Sequence, residues 1–215
     1  MQKIVAIGDC NTLGAGRCEK RGYPEKVAER LGAEIVNRGH TMATSREGIH
    51  LLKEEVVKAD CVLIQFGLVD SYKTFKYSPY VLYYPDNFIR KNLRALTKKY
   101  KKICRNQGLN KIIGEVNVVP AEEYEHNIRS MVELASPRKV VLIDTVPNKQ
   151  LERNGEIQRY NGILDSIAAD YPFCTRVKLY ADFIDGLDTL YADPTHCNNE
   201  GYEKIAEKIV TILGN

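Results

Sequence analysis

The sequence predicts an α/β protein built on a parallel sheet that is covered by helices on both faces. Three observations carry this expectation. Short apolar runs recur along the chain, and helix-length amphipathic segments separate them. The runs are continuous rather than alternating, which is the pattern of strands buried on both sides. The chain has 215 residues, 44% hydrophobic and 27% charged, enough for one compact domain with a sizeable core. Residues 1–215 are therefore expected to form a single domain.

In order, KIVAI at 3–7 reads as the first strand and the amphipathic segment 23–31 as the first helix. EIVN at 34–37 is the second strand, followed by a helix over 47–57. CVLIQF at 61–66 is the third strand. Helical patterns follow at 86–106 and 121–135, then the strand KVVLID at 139–144. A helix at 156–170, a strand at 176–180 (RVKLY) and a helix at 199–212 complete the chain. About five strands result, and ligands of such sheets bind beyond the carboxyl ends of the strands.

The bulk properties exclude several classes. The net charge of +3 is too small for a nucleic-acid partner. The densest basic cluster, KKYKKICR at 98–105, lies inside a helical pattern and reads as a solvated helix face. No stretch approaches the roughly 18 apolar residues of a spanning helix, so no membrane partner is expected. Met1-Gln2-Lys3 leads directly into a strand, so no signal peptide is expected. Six cysteines, at 10, 18, 61, 104, 174 and 197, form no CxxC pair, which speaks against a zinc knuckle. They are expected to be reduced in a cytoplasmic protein, and no metal or organic cofactor is implied.

Two local constellations suggest chemistry. At 6–14, AIGDCNTLG, a strand ends in Gly8-Asp9 and Cys10 follows at the turn. Asp9 and Asn11 favour turns and caps, and amides at the start of a helical turn would lower the pKa of a thiol there. A small buried hydrophobe is the other reading of Cys10. At 193–196, Asp-Pro-Thr-His, a carboxylate stands three residues before an imidazole. Such a carboxylate can fix the histidine tautomer and free the far nitrogen as a base. A turn cap at Asp193 beside an ordinary surface histidine is the alternative.

Taken together, these pieces resemble the GDSL/SGNH hydrolase family. GDCNTLG at 8–14 is similar to its first block, with cysteine in place of serine, and VNRGHTMATS at 36–45 to its second. FGLVDS at 66–71 is similar to the third, and VVLIDTVPN at 140–148 to the strand ending in proline. DPTHCNNEGY at 193–202 is similar to the last. The blocks lie in family order over nearly the whole chain. The resemblance implies a flavodoxin-like, three-layer α/β/α fold and acyl-ester chemistry, by a hydrolase or an acyltransferase, on a small-molecule ester; the aromatic loop at 71–85 adds an O-acylated saccharide as substrate. It places Cys10 as nucleophile, His196 as base and Asp193 as orienting carboxylate. The oxyanion hole would be formed by N–H groups of Cys10 and of Met42 or Gly39. Asp9, Val69, Asp70 and Tyr72 would lie on the substrate-binding wall.

The departures from the family pattern are specific. Cys10 replaces serine, Met42 stands where a glycine is usual, and Val69 replaces the asparagine whose amide would donate to the oxyanion. Loss of one such donor costs on the order of 10²–10³ in rate. Between Asp70 and Asp86 lie Tyr72, Phe75, Tyr77, Tyr80, Tyr83 and Tyr84, with Lys73 and Lys76. This loop is expected over the pocket, its aromatic faces suited to sugars and its lysines to carboxylates. Packing against the body or a second subunit, and hence a homodimer, is its other use. A retired, saccharide-binding module and a thiol redox protein, with Cys18 or Cys197 as resolving partner, are the competing functional readings.

Overall fold

The computed structural model describes residues 1–214. The first half of the chain forms β1 (Lys3–Gly8), α1 (Cys10–Leu13), α2 (Tyr23–Leu31), β2 (Glu34–Gly39), α3 (Ser45–Glu55) and β3 (Cys61–Gln65). An excursion follows, with β4 (Lys73–Phe75), α4 (Phe88–Asn106), α5 (Leu109–Ile113) and β5 (Glu115–Asn117). The remainder comprises α6 (Ala121–Ala135), β6 (Lys139–Ile143), α7 (Asn154–Asp170), β7 (Cys174–Val177), α8 (Tyr180–Ile184) and α9 (Asn199–Leu213).

The main sheet is parallel throughout, in the order β2-β1-β3-β6-β7. Counting its strands alone, this is the flavodoxin-like order. Side chains alternate across each strand. Val5, Ile7, Val62, Ile64, Val140 and Leu142 face a core closed by α3, α6 and α7, through residues such as Leu52, Ile128 and Leu164. Ile4, Ala6, Leu63, Val141 and Ile143 face the other core, closed by α2 and α9 through Val27, Ile205 and Ile209. The expected three-layer α/β/α architecture is therefore the observed one.

Element boundaries shift where capping chemistry overrides apolar periodicity. α3 begins at Ser45 rather than 47 because Thr44 and Glu47 form a reciprocal capping box. β7 occupies 174–177 rather than 176–180, since the Asp144 carboxylate takes the Leu179 N–H at 3.1 Å and draws the chain out of the sheet. The stretch 71–85 contains one short strand, β4, which pairs with β5 in a separate antiparallel ribbon. That ribbon is the base from which α4 and α5 project.

Chain order places the site. β1 lies between β2 and β3, so the connections after β1 and β3 leave in opposite directions. The crevice at their carboxyl ends is the switch point where ligands of such sheets bind.

Candidate active site

Gly8 ends β1 where a side chain has no room: a Cβ there would lie 2.8 Å from Thr12 Cβ and closer still to the Gln65 carbonyl. The chain turns at Asp9, whose carboxylate accepts the Asn11 N–H at 2.9 Å and caps α1. Cys10 opens α1, is almost fully buried and lines a cavity of about 440 Å³. Met42 and His196 line the same cavity. The turn at 40–43 is held by His40 N–H to the Gly8 carbonyl and Ala43 N–H to the His40 carbonyl. Within it Met42 adopts a left-handed φ of 65°, a costly conformation for a residue with a Cβ. That conformation brings its N–H near enough to the thiol of Cys10 to favour the charged sulfur.

Gly39 serves differently from the expectation. Its N–H is already given to Asn37 Oδ1 at 2.8 Å, and it does not line the cavity. Its role is close packing: a Cβ would lie 2.7 Å from the Thr12 carbonyl carbon.

The base side is compact. His196 Nδ1 lies 2.7 Å from Asp193 Oδ2, and the Thr195 and His196 N–H groups donate to Asp193 Oδ1. Burial works to raise the Asp193 pKa, but the His196 imidazole and those two N–H groups outweigh it, and the carboxyl is held below its usual range. Nδ1 is thus engaged and Nε2 is left for chemistry. Asn11 ties the two ends of the site together. Its amide donates to the Thr195 carbonyl, and its oxygen accepts the Cys197 N–H and the Tyr202 hydroxyl, each at 3.3 Å. The sequence marks Asn11 only as a turn former.

Two carboxylates expected on the substrate wall lie inside the protein. Asp9 is 1% exposed and Asp70 0%, and neither lines the cavity. Asp70 instead accepts the N–H groups of Ser45 at 2.8 Å and Gly67 at 3.2 Å, which fixes the start of α3 against the turn after β3. Burial pushes Asp9 up to about 7 and Asp70 up to about 6. A carboxyl raised in the folded state stabilises most when protonated, and that contribution is lost as pH rises through the folded value. Stability should therefore decline from about pH 4 to about pH 7 through Asp9. Asp9→Asn, which keeps an oxygen for the Asn11 N–H, should flatten this decline. Thermal melts across the window check it, and identical slopes for the two proteins would refute it.

The thiol differs from expectation as well. Burial first, and the neighbouring Asp9 second, push Cys10 well above the ordinary thiol range, against the opposing N–H groups. α1 is a single turn of four residues, too short for its dipole to outweigh desolvation. No hydrogen bond joins Cys10 to His196 in this structure, and burial favours the neutral thiol.

Val69 and Tyr72 line the cavity, and so do Tyr80 and Tyr83 of the aromatic loop. Glu47, 1% exposed, pins that loop by accepting from the Tyr80 hydroxyl and the Tyr83 N–H, each at 2.9 Å. Lys73 and Lys76 do not reach the cavity. Its cations are Arg94, Lys98, Lys101 and Arg105 of α4 and Arg153 before α7, and no carboxylate among the described residues lines it. The cluster read as a solvated face is thus in part a cavity wall. Arg94 pairs with Asp86; among the described residues the other four pair with no carboxylate. Burial lowers the pKa of Lys101, aided by Arg105 and Arg46. Arg153 donates to the Leu68 carbonyl at 3.0 Å and stacks 4.7 Å from the Tyr72 ring centre. Its own pKa is lowered by burial, against the opposing influence of Tyr72, Glu152 and a charge on Cys10.

Residues 6–204 match the GDSL-like lipase/acylhydrolase family. The chain belongs to this family. No curated protein matches it by sequence. Among solved structures, it is similar to a lipase/acylhydrolase from Enterococcus faecalis, at 20% identity and a TM-score of 0.68 over 99% of this chain and 95% of that one. It is also similar to Axe2, an acetylxylan esterase from Geobacillus stearothermophilus, at 22% identity and a TM-score of 0.66 over 100% of this chain and 94% of that one. A member of the lipolytic G-D-S-L family from Veillonella parvula DSM 2008 has 14% identity and a TM-score of 0.66, with both chains fully covered. At these identities the likeness shows a shared GDSL-family fold. Catalytic mutants of Axe2 alter a serine, and an aspartate and a histidine three residues apart.

Proposed function

We propose that this GDSL-family protein hydrolyses the acyl ester of an anionic saccharide through Cys10, His196 and Asp193. One observation carries the reading: Cys10, Met42 and His196 share a cavity also lined by five lysines and arginines, and no carboxylate among the described residues lines it. The Asp193–His196 spacing equals that of the catalytic pair altered in Axe2, which supports the same division of roles.

The chemistry follows from the neutral thiol. With an ester seated, His196 Nε2 takes the proton as Cys10 Sγ attacks the carbonyl carbon. The Met42 N–H stabilises the oxygen that becomes negative. The tetrahedral intermediate collapses as His196 returns the proton to the departing alkoxide, leaving a thioester on Cys10. Water, deprotonated by His196, then attacks the thioester, and the carboxylate product and thiol are released. Asp193 holds the imidazole and stabilises its charged form throughout.

Val69 brings no amide to the oxyanion, and Arg153, which lines the same cavity, compensates. Its guanidinium would meet the negative charge that develops as Cys10 attacks. Arg153→Met should lower kcat by about 10–100-fold and leave the melting temperature nearly unchanged, with partial recovery in Arg153→Lys. Equal kcat in wild type and Arg153→Met would exclude this role.

Tyr72, Tyr80 and Tyr83 offer aromatic faces for sugar rings, and the unpaired cations favour an acidic one. The test compares acetylated glucuronic-acid-bearing and neutral xylo-oligosaccharides. The acidic substrate should show the higher kcat/KM, and added salt should narrow the gap. No preference would remove the anionic assignment. Val69 and the protonated thiol favour a second reading, a cavity that binds the acidic saccharide without turnover. In that case affinity persists in Cys10→Ala and no product forms with wild type.

A further inference from the structure

We infer that α4 seats this protein on an anionic lipid surface. The inference stands on the outer side of α4 and is independent of the catalytic reading.

The helix is 19 residues long and carries eight lysines and arginines and no acidic residue. Its two sides differ. One side supplies the cavity wall described above. The other exposes Phe88, Ile89, Leu93, Leu96, Tyr100 and Ile103 to solvent, the first two at 79% and 70% and Leu96 at 65%. Their spacing keeps to one side of a helix with about 3.6 residues per turn. α5 follows on and adds Ile112, 75% exposed. Single exposed apolar residues are ordinary, but a row along a whole helix is not.

Charge decides what covers the row. Lys91, Lys99 and Lys102 run along one edge of it by the same helical spacing, and none pairs with a carboxylate among the described residues. Two copies of α4 placed face to face would bring Lys91, Lys99 and Lys102 of one against those of the other, with no acid on either helix. A surface of anionic headgroups supplies the missing negative charge, and its acyl boundary takes the apolar row. No helix among the described residues is long and apolar enough to cross a membrane. The sequence expectation of no membrane partner concerned spanning. A helix lying in the interface needs a basic edge and an apolar stripe, and α4 has both.

The test is co-sedimentation of the full chain with vesicles of phosphatidylcholine alone and of an equal mixture with phosphatidylglycerol. At low salt the protein should pellet with the mixed vesicles and not with the neutral ones, and high salt should release it. Leu93→Ser with Leu96→Ser should lower the bound fraction by about tenfold or more. Neither leucine touches the cavity, so hydrolysis of a soluble ester should continue. Lys99→Glu with Lys102→Glu is the second variant pair and should abolish binding without altering the apolar row. Absence of binding to the mixed vesicles, or binding that survives both variant pairs, overturns the inference. So does a stable wild-type dimer that the leucine changes dissociate, which would make a second copy the occupant.

Discussion

Replacing Cys10 with alanine is expected to lower the turnover of p-nitrophenyl acetate by on the order of 10⁴-fold or more. The side chain removed is small and buried, so the fold should persist. His196→Ala should cost a similar factor, because a thiol raised by burial and by Asp9 needs a base to ionise it. The double variant should be little worse than either single one, as happens when residues act as one unit. In wild type, intact-mass spectrometry during turnover should detect an acylated protein, with the added mass on Cys10. Iodoacetamide should alkylate Cys10 slowly at neutral pH and faster only under strongly alkaline conditions. Turnover equal in Cys10→Ala and wild type would end the nucleophile assignment.

The second large effect is expected at Gly39. Its backbone conformation is open to other residues, so the demand for glycine is one of space. An added Cβ would meet the Thr12 carbonyl carbon at 2.7 Å and the Leu13 Cα at 2.8 Å, both in the backbone of α1. Backbone cannot swing aside as a flexible side chain can. Gly39→Ala should therefore cost on the order of 2–4 kcal/mol and lower the melting temperature by about 5–12 °C. Because α1 carries Cys10, kcat should fall together with stability. Melts and initial rates on the same preparation check both. Unchanged values would mean that the end of β2 does not set the position of the nucleophile.

Much of this molecule can be read from its residues, and the rest is hidden for physical reasons. β1, β3 and β6 are legible because strands buried on both faces have no polar alternation to blur them. The ranges of α2 and α6 match their amphipathic patterns. β4, β5 and α8 are three to five residues long, too short to show any period. At the site, Cys10, Met42, Asp193 and His196 come from three local turns, each short enough to be read from adjacent letters. Arg153 and Lys101 arrive from remote segments, and nothing in the sequence signals which face of a basic helix turns inward. Asp9 and Asp70 show the opposite failure. The family resemblance places them on a wall open to substrate, whereas buried N–H groups of Asn11, Ser45 and Gly67 need acceptors, and the carboxylates go there.

The burial that keeps Cys10 protonated also bears on its durability. Peroxides attack the thiolate, and sulfenic acid is the first rung of a ladder that ends in irreversible loss of the sulfur. Sensor cysteines sit at the vulnerable end of that scale, ionised and accessible. Cys10 is at the other end, its sulfur nearly enclosed and its charged form disfavoured until a substrate and His196 act together. A serine in this position would need no such protection. A cysteine gains it from the same desolvation that slows its ionisation, so an oxidant that spends a sensor thiol within moments would leave this sulfur intact.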